Sequence, residues 1–285
     1  MKNKIIVWTL KLSALAIFCV ALVFFYAWKI EPNFLTITRQ EIVLEKATGT
    51  TKIVVLSDFH FSKKDRSRAE EIIKKTLALN PDAICMLGDY TNLHSKKRTL
   101  SLEAIAEVLG AFPRAGVPTF AVMGNHDGFA GRQVFDKLFS NQGIRVFVEK
   151  DSQLIRLKNG KEFLFAGTLD AHSFAAIFDK NCVPVNTTNA PCILLSHSPG
   201  VVPFLNETID LVLCGHTHGG QIRIPFWGPL AAGSKYCYGL NKTPAGAQIF
   251  TTRGLGQSVL PLRFCCPPEI LELTIRGNKQ KFSKK

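Results

Sequence analysis

Five short apolar runs in this sequence each end on side chains that can bind a cation. They are KIVVLSDFH (52–60), AICMLGD (83–89), TFAVMGNHD (119–127), CILLSH (192–197) and LVLCGHTH (211–218). Runs of this length, rich in Val, Ile and Leu, predict buried strands. The stretches SRAEEIIKKTLALN (67–80) and TLSLEAIAEVLGAF (99–112) separate the first three and repeat apolar residues at helical spacing. Strand–helix–strand alternation predicts an α/β fold, with parallel strands and helices on the sheet faces. In such a sheet the carboxyl ends line up along one edge, so five polar ends would arrive at one place. One buried His is ordinarily a hydrogen-bonded core residue, and one Asp after a strand is ordinarily a cap or a turn. Five such endings together favour a site.

The donor types select a metal centre. Asp58 and His60 stand two apart, so in an extended chain they project to the same side, and His216 and His218 repeat the spacing. Together with Asp89, Asn125 and His197 they make a set of carboxylates, imidazoles and one amide oxygen. Such a set suits Mn²⁺ first, with Fe²⁺ or Zn²⁺ as alternatives. No cysteine is included, which argues against a structural zinc site. The supply exceeds what one ion needs and fits two divalent ions sharing a carboxylate. Glycines 88, 124, 215, 219 and 220 beside these residues allow tight turns and close approach of backbone to metal or phosphate.

The first 30 residues form a separate unit. An apolar run at 12–28, preceded by Lys11 and closing on FFYAW, is about 26 Å long as a helix, near the minimum for a bilayer core. Large rings ahead of KIEP do not resemble a signal-peptide cleavage site, so residues 1–30 are expected to be a single-pass anchor. Residues 31–51 then form a connecting segment and a first strand. A catalytic domain follows at 52–275, and 276–285 is a basic tail. Lys2 and Lys4 before the span nearly balance Lys29, Arg39 and Lys46 after it, so the positive-inside rule gives no orientation. The eight cysteines lack disulfide or metal-ribbon spacing; read as reduced thiols, they point to a cytoplasmic face for the body. The net charge of +13 suits an anionic lipid surface or an anionic substrate. No aromatic-and-basic recognition pattern accompanies it, so nucleic acid is not the expected partner. No protein partner is inferable.

The series DFH…GDY…GNHD…SHSP…GHTHGG resembles the calcineurin-like metallophosphoesterases from about residue 52 to 275. GHTHGGQIRIP and TTRGLGQSVLPLRFCCPPEI are similar to a bacterial membrane-associated phosphodiesterase branch, which includes a UDP-2,3-diacylglucosamine pyrophosphatase of lipid A synthesis. The resemblance implies a two-sheet α/β/β/α sandwich at the inner membrane. It also implies that Asp58, His60 and His218 hold one metal, that Asn125, His197 and His216 hold the other, and that Asp89 bridges them. Hydrolysis would proceed by a metal-bridged hydroxide, with His126 steadying the leaving oxygen. Many relatives carry a carboxylate where this chain has Asn92, which makes the proton-donor role of His126 less secure. The substrate so implied is a lipid-linked nucleotide, UDP-2,3-diacylglucosamine, cleaved to UMP and 2,3-diacylglucosamine 1-phosphate; the alternatives are a broad-specificity phosphodiesterase and an inactive scaffold. Arg223, Arg253 and Arg263 are candidate contacts to its phosphates. PFWGPL (225–230) is either an apolar rim for acyl chains or a packed loop.

Overall fold

The computed structural model describes residues 2–63, 65–92, 99–128, 131–231 and 233–278. Most of the basic tail lies outside the described residues.

Helix α1 (Lys2–Phe25) is continuous, and a π-type turn (Tyr26–Ile30) and a 3₁₀ turn (Glu31–Asn33) follow it. Its 24 residues give about 36 Å. It is long and apolar enough to cross a membrane, and none of its apolar surface is buried in the body.

The strands, in chain order, are β1 (Thr36–Leu44), β2 (Thr50–Leu56), β3 (Ala83–Met86), β4 (Thr119–Ala121), β5 (Arg145–Val146), β6 (Ser152–Arg156) and β7 (Glu162–Gly167). They continue as β8 (Cys192–Leu195), β9 (Leu211–Cys214), a small hairpin of β10 (Arg223–Ile224) and β11 (Gly228–Pro229), then β12 (Gly239–Lys242), β13 (Gln248–Thr251) and β14 (Glu269–Gly277). One sheet has the order β1-β14-β2-β3-β4-β5 and the other β12-β13-β9-β8-β7-β6. Strands β2 to β5 are mutually parallel, as are β7, β8, β9 and β13. The antiparallel edge strands β6 and β12 flank the second group.

Side-chain alternation explains the layers. Ile53, Val55, Cys85 and Phe120 of the first sheet meet Phe165, Ile193, Leu195 and Leu213 of the second in a shared core. Val54, Leu56, Ile84 and Met86 point the other way, onto α2 (Arg66–Ala78), α3 (Leu102–Leu109) with the short α4 (Ala111–Arg114), and α5 (Arg132–Ser140). Both faces of the central strands are therefore apolar, which is why their runs are continuous instead of alternating. The outer face of the second sheet is covered by loops and 3₁₀ turns: Phe178, Val183, Val201 and Val202 close over Leu194 and Val212. The first strand is integral to the body, since β1 pairs with β14 along its whole length.

Glu31 joins helix to body. Its buried carboxylate accepts the Cys265 backbone N–H at 2.9 Å and the Cys266 N–H at 2.5 Å. Glu31→Ala leaves these two donors without their acceptor, at roughly 1–3 kcal/mol for each that stays buried. Thermal unfolding in detergent should show a lowered midpoint, with Glu31→Gln recovering part of the loss because one acceptor oxygen remains.

Candidate metal centre

All seven candidate ligands lie at one end of the sandwich. The first sheet supplies Asp58 and His60 after β2, Asp89 after β3 and Asn125 after β4; the second supplies His197 after β8 and His216 and His218 after β9. The route differs from the expected extended geometry. Asp58, His60, Asp89, His216 and His218 all have φ between 45° and 68°. Asp and His tolerate this left-handed region better than most residues. Hydrogen bonds between the loops hold the turns: Asp58 N–H to Gly88 C=O (3.0 Å) and His60 N–H to Asp89 C=O (2.9 Å). Gly88 has φ +93°, and a Cβ there would come within 2.7 Å of the Gly124 Cα, so the two loops touch backbone to backbone.

The ligand atoms form two groups. Asp58, His60 and His218 make one, and Asp89, His197 and His216 the other, with the atoms of each group within 4.8 Å of one another. Asn125 Oδ1 joins the second group, 2.9 Å from His197 Nε2 and 3.0 Å from His216 Nδ1. One oxygen, Asp89 Oδ2, faces both groups, at 3.6 Å from His60 Nε2 and 3.4 Å from His197 Nε2. The other, Oδ1, accepts the His126 backbone N–H at 2.8 Å.

The tautomers follow from the outer hydrogen bonds. His60 Nδ1 lies 3.0 Å from the Thr91 carbonyl and His197 Nδ1 2.7 Å from the Leu87 carbonyl. A carbonyl only accepts, so both Nδ1 atoms carry hydrogen when the rings are neutral, and each Nε2 turns a lone pair inward. His60 Nε2 then meets His218 Nε2 at 3.1 Å, and His197 Nε2 meets the Asn125 oxygen. Ligand atoms gathered at this range fit divalent cations lying between them. In the metal-free site burial opposes protonation of His197, but the facing Asp89 overrides it and holds that ring's pKa well above the imidazole range.

Burial shapes the charges. It pushes His60 and His216 down to about 4, keeping both imidazoles neutral at physiological pH, and it lowers His218 well below the usual range. It pushes Asp58 up to about 6, partly offset by His197. Burial also opposes ionisation of Asp89, but the facing His197 and His60 override it and hold Asp89 below the carboxylate range.

His126 is buried, its ring edge-on to His60 at 4.7 Å between centroids, and it also groups with His60 and Asp89. Asn92 leaves Oδ1 buried without a hydrogen-bond partner among the described residues. Two of the three candidate arginines are corrected by the structure. Arg263 is fully buried and donates to the carbonyls of Gly256 (3.0 Å), Cys266 (2.8 Å) and Arg253 (2.8 Å), which leaves no face for a substrate. Arg253 is bound to Glu269 at 2.9 Å and to the Thr38 hydroxyl at 2.9 Å, so it ties β14 to β1. Arg223 is partly exposed and donates to the Gly219 carbonyl at 2.9 Å.

Sequence reasoning missed three residues. Asp127, the last residue of GNHD, accepts the backbone N–H groups of Asp89 (2.7 Å), Tyr90 (2.9 Å) and Gly124 (2.9 Å), fastening the β3 and β4 loops together. Burial and then Asp89 push its carboxyl up to about 7. Asp170 and His172 end a sixth run, KEFLFAGTLDAH (161–172), which bears the same signature as the other five. The exposed His172 ring lies 4.6 Å from that of His216. Asp170 borders a cavity of about 270 Å³ that also touches Asn125, Phe147, Val148 and Phe174.

With this geometry in place, the comparisons with known proteins decide the family. Residues 51–220 match the calcineurin-like phosphoesterase family. The chain belongs to that family. It is 32% identical to Phosphodiesterase YaeI of Escherichia coli over 88% of this chain and 92% of that protein. It is 30% identical to the uncharacterized metallophosphoesterase YkuE of Bacillus subtilis, over 88% of this chain and 89% of the relative. A transmembrane protein with metallophosphoesterase domain from Danio rerio is 27% identical over 83% of this chain, which spans 56% of that longer protein. The chain is accordingly a metal-dependent phosphoester hydrolase of α/β two-sheet fold.

Removing the Asp127 tether tests the loop geometry. Asp127→Ala leaves three buried N–H donors unpaired, at roughly 1–3 kcal/mol each. Unfolding midpoints should drop sharply, and calorimetry on the surviving folded protein should show weakened metal binding, although the carboxylate is not itself among the candidate ligands.

Proposed function

We propose that the chain is a membrane-anchored phosphodiesterase that hydrolyses a phosphodiester or pyrophosphate bond at a two-metal centre, on a lipid-linked substrate. The observation that carries the reading is the division of the six other candidate ligands into two groups on either side of one oxygen of Asp89. In this reading Asp58, His60 and His218 hold one ion, Asn125, His197 and His216 hold the other, and Asp89 serves both. Manganese is the first choice for each, with iron or zinc as alternatives. When bound, two such ions would lower the pKa of an attacking water and neutralise charge on the phosphoryl oxygens.

The chain's own residues supply the rest. Asp58 and Asp89 are the two carboxylates among the seven candidate ligands, so two divalent ions would leave the centre net positive toward a phosphate. Asp127 and the Nδ1–H bonds of His60 and His197 fix the ligand orientations before substrate arrives. His126, packed against His60, is the residue assigned to hold a proton for the leaving oxygen. Helix α1 supports a substrate drawn from the bilayer, and UDP-2,3-diacylglucosamine, giving UMP and 2,3-diacylglucosamine 1-phosphate, is the specific candidate. The relative named as a phosphodiesterase favours a second reading of broader specificity. An inactive scaffold is disfavoured because all seven ligands are present.

Elemental analysis after Mn²⁺ reconstitution should give two ions per chain, and chelation should abolish hydrolysis. Asp89→Ala should lose metal and activity together, whereas His126→Ala should keep the metals and lose roughly 10²–10⁴ in kcat. Equal metal loss in both variants would overturn the division of roles. Mass spectrometry of products from a panel of lipid-linked and soluble diesters separates the substrate readings: hydrolysis of soluble diesters alone would remove the lipid.

A further inference from the structure

Six large apolar side chains on two neighbouring loops stand in water: Ile224, Phe226, Trp227 and Leu230 around the β10–β11 hairpin, and Val259 and Leu260 in the segment before β14. Phe226 is completely exposed, Trp227 is 88% exposed and Val259 83%. Single exposed apolar residues are ordinary, but a group of them marks a contact surface. Phe226 and Val259 also hold φ of 68° and 61°, which is uncommon for a bulky side chain and an outlier for a β-branched one. The two loops are bound to one another. Gln221, just ahead of the hairpin, donates from Nε2 to the Ser258 carbonyl at 3.0 Å and the Leu260 carbonyl at 2.9 Å, and accepts from Ser258 N–H at 2.9 Å.

The same loops adjoin the end of α1. Arg263 N–H donates to the Ala27 carbonyl at 2.8 Å, and the Tyr26 ring meets Phe264 edge-on at 6.5 Å. Phe264 in turn donates to Gln221 C=O at 3.1 Å and accepts from Arg223 N–H at 2.8 Å. The apolar loops thus share the joint through which the helix enters the body, beside Tyr26, Trp28 and Lys29, residue types that sit at headgroup level. Charge points the same way. The 58 residues from 211 to 268 contain no Asp or Glu, and of their five Lys or Arg, Arg223, Lys235 and Lys242 reach solvent while Arg253 and Arg263 are turned inward. Apolar rings on an acid-free segment, continuous with an apolar helix, fit anionic lipid better than a protein face.

We propose that this patch is a second membrane contact, in which Phe226 and Trp227 enter the headgroup–acyl boundary beside α1 and lay the body against the bilayer. It rests on the reading of α1 as a bilayer span, but it requires no particular substrate. It brings the loop of His216 and His218, which runs directly into Gln221, to the lipid surface. Each embedded ring should shift the balance between docked and undocked bodies by about tenfold or more.

The test uses the full chain with Trp8→Phe and Trp28→Phe, so that Trp227 is the sole tryptophan. It is reconstituted into phosphatidylcholine–phosphatidylglycerol vesicles whose acyl chains carry bromine near the headgroup. Subtracting a Trp227→Phe chain from the unaltered one gives the same signal without changing α1. The expected result is bromine quenching of Trp227 and protection from aqueous acrylamide. Quenching by acrylamide alone would show the loop in water and overturn the proposal. Protection from both quenchers would mean that a second copy or another protein covers the patch, which overturns it equally. Vesicle flotation distinguishes the underlying reading: protein that floats with Trp227 in water keeps the anchor and loses the patch, while protein that fails to float loses both.

Discussion

The active end of this sandwich is built around inward-facing nitrogen and oxygen atoms held at close range. His60 and His197 are locked by their Nδ1–H bonds, so their Nε2 atoms face His218 and Asn125 across about 3 Å. Divalent cations bound there would be coordinated by these atoms, and that is the condition under which the surrounding geometry makes sense. The backbone bears a matching cost: left-handed φ at five ligands, at roughly 1–3 kcal/mol apiece where truly strained. Strand ends with fully buried flanks can hold such turns because the loops bond to one another and to the Asp127 carboxylate instead of to water.

The layout of the central strands was legible because burial on both faces writes itself as an unbroken apolar run. The run at 52–60 covers all of β2 but its first two residues, the runs at 83–89, 119–127, 192–197 and 211–218 contain β3, β4, β8 and β9, and helical periodicity located α2 and α3. Each run ended in polar residues, and the structure gathers those ends. Local turn geometry was not legible. Spacing two apart suggested extended alternation for Asp58 and His60, whereas both residues are left-handed, a state set by inter-loop bonds that sequence spacing does not encode. The sixth run, ending in Asp170 and His172, carried the same signal: two residues separate strand end from carboxylate there, as they do between β3 and Asp89.

The arginines show how charge misleads. In sequence, a basic residue near a phosphate site reads as a phosphate contact, yet Arg253 and Arg263 face inward. Arg263 has no carboxylate partner in its hydrogen-bond set; backbone carbonyls from four residues surround it instead. Burial lowers its pKa only to about 10, so it stays cationic. A cation in that position suits the carbonyl ends of turns that have no regular ladder to satisfy them.

That buried cation also links parts of the protein far apart in sequence. Its backbone N–H binds the last turn beyond α1, and its guanidinium lies 3.5 Å from His218 Nδ1. A donor there favours hydrogen on the opposite nitrogen of His218 in the metal-free ring, so metal entry would have to displace a proton on the side facing His60. The helix end, the acid-free loops and the second histidine of GHTH are therefore members of one packed joint. A flexible tether would merely raise the local concentration of substrate at the body. A rigid joint would do more: in the proposed membrane-anchored reading it fixes which side of the metal centre a lipid surface meets.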